Sequence, residues 1–76
     1  MAHDQGKYCG HASWNHWNVS LWILNDERLY QMAKDATRAW PTRDAAARAM
    51  VTELPPATPD GAPYRYTYVR AALRGL

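Results

Sequence analysis

Residues 13–30 read S-W-N-H-W-N-V-S-L-W-I-L-N-D-E-R-L-Y and contain three of the chain's four tryptophans. Ser13 is an N-cap residue type, and a helix is expected from there to about Leu24. At 100° per residue, Trp14, Trp17, Leu21 and Leu24 share one face, while Val19, Trp22 and Ile23 cover much of the remainder. Only His16 and Ser20 form a clear polar strip. A helix apolar over most of its circumference predicts a place in the middle of a bundle. Asn18 falls between the two apolar arcs, so its amide is expected to be buried and to tie the backbone of a neighbouring loop, because an unpaired buried amide costs about 1–3 kcal/mol. The same tryptophan spacing would suit base stacking, but stacking platforms need exposed rings, and burial is the expectation here.

Downstream, Asn25 interrupts the pattern and is expected to cap a second helix, with Asp26 and Glu27 in its first turn at the positive end of the helix dipole. Leu29, Tyr30, Met32, Ala33, Ala36, Thr37 and Trp40 fall on one side; Glu27, Arg28, Gln31, Lys34, Asp35 and Arg38 fall on the other. Pro41 ends this helix, since the residue before a proline is pushed out of the helical region. Thr42 is a good cap for a third helix over Arg43 to about Glu53, strengthened by three consecutive alanines and an Asp44–Arg48 pair at i,i+4. Its seam is Ala46, Ala49, Met50 and Leu54, and Pro55 and Pro56 stop it.

In the loop that follows, Pro59-Asp60-Gly61 is a turn: proline pre-sets φ and glycine tolerates a positive one. Tyr64, Tyr66 and Tyr68 then alternate with polar residues as a strand would. A last helix capped by Thr67 and running to Leu73, burying Val69 and Leu73, is preferred, because a lone strand has no partner for its backbone groups. Upstream, residues 1–12 have two glycines and no apolar periodicity, and are read as an irregular arm. His3, Cys9, His11 and His16 have metal-ligand chemistry, but their spacing fits no paired-ligand zinc pattern, so neither metal nor cofactor is assigned.

The expected architecture is therefore all-α: a small single-domain bundle of about four short helices over 13–76 around the tryptophan-rich helix, preceded by the arm. Trp14, Trp17, Asn18, Leu21, Trp22, Leu29 and Trp40 are its expected structural core. A chain of 76 residues has room for one domain, and with no phenylalanine its aromatic bulk comes from tryptophan and tyrosine. A lone Cys9 excludes an intramolecular disulfide and points to a reducing cytoplasm. No stretch is long and apolar enough to span a membrane, and the N-terminus lacks the order of a signal peptide.

A net charge of +2 is too small to choose a partner. The C-terminal segment is more suggestive: Arg65, Arg70 and Arg74 lie among tyrosines, with no acid after Asp60. Arginine beside aromatics suits phosphate backbones or an acidic protein face. Cations near a helix C-terminus also have a purely structural explanation in the dipole. The residues assigned to partner contact are Arg65, Arg70, Arg74, Tyr64 and Tyr68, with Arg38, Arg43 and Arg48. No nucleophile–base set, paired-carboxylate site or glycine-rich phosphate loop can be placed, so no enzymatic activity is assigned.

The string from Trp14 to Tyr30 resembles a group of short proteins of phages, plasmids and integrated mobile elements with a pattern like W-x-x-W-N-V-x-L-W-I-x-N-D-E-x-L-Y. Trp14, Trp17, Asn18, Val19, Leu21, Trp22, Asn25, Asp26, Glu27, Leu29 and Tyr30 carry the match. The size and genomic setting of that group resemble those of anti-CRISPR and antirestriction proteins. The resemblance implies a cytoplasmic, non-enzymatic inhibitor that binds a host defence complex, foremost a type I CRISPR surveillance complex, and blocks target DNA or nuclease recruitment. The alternative is a small nucleic-acid-binding or regulatory protein of the mobile element. The two differ in salt-dependent binding of free DNA.

Overall fold

The computed structural model describes residues 13–76; the expected arm, with His3, Cys9 and His11, lies outside them. Four helices follow in order: α1 (Trp14–Asn25), α2 (Glu27–Ala39), α3 (Arg43–Glu53) and α4 (Tyr66–Ala72), the last continued by a 3-10 turn over Leu73–Gly75. The principal pairings run α1 with α2, α2 with α3, α3 with α4 and α4 with α1, so the helices form a closed ring. The all-α bundle expected from periodicity is the observed one.

Local chemistry sets the boundaries. The Ser13 hydroxyl accepts from the His16 N–H and starts α1. Asp26 closes α1 and opens α2, its carboxylate accepting from the N–H groups of Arg28 (3.0 Å) and Leu29 (3.1 Å). It takes the capping role expected of Asn25, which is still helical and donates from Nδ2 to the Leu21 carbonyl (2.9 Å). Thr42 caps α3 as anticipated, its hydroxyl accepting from the Ala45 N–H. α4 begins one residue before Thr67; Arg65 holds the cap position and makes no side-chain capping bond.

The core comprises Val19 and Ile23 of α1, Ala33 of α2, Ala46, Ala47 and Met50 of α3, Ala62 and Tyr64 of the loop, and Val69, Ala72 and Leu73 at the C-terminal end. Leu29 and Met32 pack against it from α2. The helical alanines among these positions, Ala33, Ala46, Ala47 and Ala72, let helices approach closely.

The expected tryptophan core is corrected here. Asn18 is buried and Leu29 is half-buried, but Trp14, Leu21 and Trp40 are 39%, 37% and 47% exposed, and Trp17 and Trp22 are half-buried. α1 turns its Val19–Ile23 side inward, and Ser20, expected on a polar strip, is buried with them. His16 lies inward as well, its ring edge-to-face with Tyr68 at 4.6 Å. The small aliphatic side chains fit the tight ring, whereas the indoles, too large for it, point outward or to its margin.

Candidate partner-binding surface

The loop between α3 and α4 holds α1 in place. Asn18 Nδ2 donates to Asp60 Oδ2 (2.9 Å), and Trp22 Nε1 donates to the same oxygen (2.9 Å). The Thr58 hydroxyl donates to Asn18 Oδ1 (2.6 Å) and accepts from the Ala62 N–H (3.0 Å). The Gly61 N–H bonds the Thr58 carbonyl, closing a turn in which Gly61 takes φ 101°, and Ala57 bridges Pro63 beyond it. The Asn18 amide thus ties the loop through side chains rather than through loop backbone. These bonds, Asn18's before Trp22's, hold the Asp60 carboxyl below its ordinary range.

That loop also delivers Tyr64 to the core, where it is 6% exposed. Its assignment to partner contact is therefore corrected: burial, then the charge of Asp26, pushes its phenol pKa up. Tyr68 is half-buried against His16, and its hydroxyl accepts from Asn15 Nδ2 at 3.5 Å.

The arginines divide into two groups. Arg70 Nε is paired with Asp44 Oδ1 across the α4–α3 seam, and Arg48 lies over the Tyr66 ring with its guanidinium carbon 4.6 Å from the centroid. The i,i+4 pair expected between Asp44 and Arg48 is replaced by this longer-range partnership. Arg70 holds the Asp44 carboxyl down and Asp44 raises the guanidinium pKa. Arg38 reaches Asp35 only loosely, at 3.9 Å. Among the described residues, Arg43, Arg65 and Arg74 are exposed and make no ion pair.

Two apolar surfaces were not assigned from the sequence. A groove of about 520 Å³ runs between α2 and α3. Ala36, Ala39 and Ala49 line it with small side chains, Met32 and Met50 add polarisable ones, and Trp40 stands in the wall. Gln31 and, with charge of both signs, Arg28, Asp35 and Glu53 complete the lining. Trp40 also borders a smaller crevice of about 160 Å³ with Pro41, Leu73 and Leu76. The second surface is the outer side of α1, where Trp14, Leu21 and Leu24 are exposed.

Such an open groove can receive an apolar side-chain row from a protein. Among the described residues, no three His, Cys, Asp or Glu side chains are grouped to hold a metal, and no helix is long and apolar enough to cross a membrane.

A family model matches residues 4–71. The chain belongs to DUF7249, a family of unknown function. The matched span includes α1, the Thr58–Gly61 turn and most of α4, so the Asn18–Asp60 clasp and the α2–α3 groove both lie within the family's region. No curated protein and no solved structure is significantly similar to the chain.

Proposed function

We propose that this protein is a non-enzymatic binding protein that docks on another protein through the α2–α3 groove. The observation that carries this reading is the placement of Trp40, 47% exposed, in the wall of a 520 Å³ groove with alanine and methionine lining. Tryptophan dominates binding energy where a partner can exclude water around it, and methionine adapts to irregular surfaces. The charged lining residues would set the register of a partner more than its affinity.

The likeness of Trp14–Tyr30 to mobile-element proteins directs the choice of target. The partner is a host defence complex in the cytoplasm, foremost a type I CRISPR surveillance complex, and the mode is steric: the bound chain blocks target DNA or the recruited nuclease. Phosphate mimicry does not suit a chain with a net charge of +2. Pull-down with purified type I effector complexes, followed by a target-DNA binding assay, tests the proposal. Co-purification with loss of DNA binding or of cleavage is expected; no association with any type I subtype would overturn it.

A regulatory nucleic-acid-binding role is the second reading, favoured by exposed Arg43, Arg65 and Arg74 on the α3–α4 half. Arg48 and Arg70 are already engaged within the chain, which leaves this surface weaker than the count of arginines suggests. Tight binding of free DNA in a gel-shift assay, falling steeply with salt, would select this reading over the first.

A further inference from the structure

We infer that the outer face of α1 is a self-association surface, on which a second copy of the chain packs its own α1 antiparallel. The face consists of Trp14, Trp17, Leu21 and Leu24, spaced by three, four and three residues. This is the a–d–a–d order of a coiled-coil seam, and it confines the four side chains to an arc of about 80°. Trp14, Leu21 and Leu24 are 39%, 37% and 39% exposed, while the opposite side of the same helix supplies fully buried Val19 and Ile23. α1 therefore has one apolar side inside the ring and a second, half-buried at Trp17 and exposed at Trp14, Leu21 and Leu24, that no other described helix closes over.

Charge and volume identify the occupant. α1 contains no Asp, Glu, Lys or Arg. A two-fold interface sets each patch against itself, so like charges there would repel; an uncharged helix meets its own copy without that cost. In the antiparallel orientation the layers are Trp14 with Leu24 of the second copy, Trp17 with Leu21, and their two symmetry mates. Every layer then holds one indole and one leucine, an even volume along the seam. The parallel orientation would stack Trp on Trp at one end and Leu on Leu at the other, overfilling two layers and underfilling two. A seam of about three turns falls at the small end of specific interfaces, below about 1,200 Å² in total, the size class of weak and transient associations.

Sedimentation of the full chain from low micromolar to millimolar concentration tests this inference. The wild-type chain is expected to move from monomer to dimer. Leu24→Glu and Trp14→Lys are each expected to remain monomeric with unchanged helical circular dichroism, because both positions face solvent in the monomer. Mixed in equal amounts, the two variants should dimerise again, since one layer becomes a Glu–Lys pair and its symmetry mate remains Trp14–Leu24. A wild-type chain that stays monomeric throughout, or a Leu24→Glu chain that still dimerises, would overturn the inference. Failure of the mixture to recover would overturn the antiparallel pairing.

Discussion

Asn18 and Thr58, forty residues apart in the chain, meet through a 2.6 Å hydrogen bond inside the protein. Thr58 is 4% exposed and Asn18 1%, so neither group has water as a substitute partner. Asn18→Ala removes the acceptor of the Thr58 hydroxyl and one of the two donors to Asp60. A loss of about 1–3 kcal/mol in folding stability is expected, read from the urea midpoint at unchanged slope.

Acid should weaken the same clasp. Hydrogen bonds from Asn18 and Trp22 lower the folded-state pKa of Asp60, so the unfolded chain takes up its proton first as pH falls. The stabilisation is complete above the unfolded value, about 3.9 for a free Asp side chain, and is lost as pH falls through the depressed folded value. Asp44, lowered by Arg70, follows the same sign. Urea midpoints measured from neutral to strongly acidic pH should fall, and Asp60→Asn should flatten that fall in part, leaving the Asp44 contribution in place.

Alkali acts on Tyr64 in the opposite direction. Its folded pKa is raised, so its neutral form is retained in the folded chain, and stability is lost as pH rises from the unfolded value through the folded one. Tyr64→Phe should reduce the alkaline loss of stability, as measured by urea midpoints above neutral pH.

Two aliphatic residues of α1 should behave differently on truncation. Ile23 is fully buried, and Ile23→Ala is expected to cost about 2–5 kcal/mol. Leu21, two residues earlier, is 37% exposed, and Leu21→Ala should change the stability of dilute protein by no more than about 0.5 kcal/mol.

Partner binding should depend on the groove and not on the fold. Trp40→Ala is expected to weaken the complex by about 2 kcal/mol or more, and Ala49→Leu should obstruct the same groove. Calorimetric titration against the captured partner reads both effects, and a thermal midpoint close to wild type would show that the bundle is intact.

The parts of this fold that were legible in the sequence are those decided locally. Ser13 and Thr42 cap helices because their hydroxyls reach N–H groups three residues on, and Pro59 to Gly61 turns because of its own backbone preferences. Asp26 displaced Asn25 as the cap because two capping residue types stand side by side and only the three-dimensional path separates them. The direction of α1 was hidden for a different reason. With apolar residues nearly all round, the helix has no strong side of its own, and the tight ring accepted Val19 and Ile23 while leaving Trp14 and Leu21 outside. Asp44 likewise had an acceptable neighbour at Arg48, and the choice of Arg70 was made by the docking of α4. The groove was missed because alanines read as close packing, yet at Ala36, Ala39 and Ala49 they leave room instead.

The last helix has only seven residues. Helices shorter than about 12 residues have little stability in water on their own, so α4 owes its existence to α1 and α3, which it touches on either side. It behaves as a keystone: the ring has no stable open form with α4 already built, and docking and coiling of that segment become one event. Folding of this chain is then expected to be all-or-none, with Val69 and Leu73 reporting the same transition as Val19 and Ile23 at the other end of the sequence.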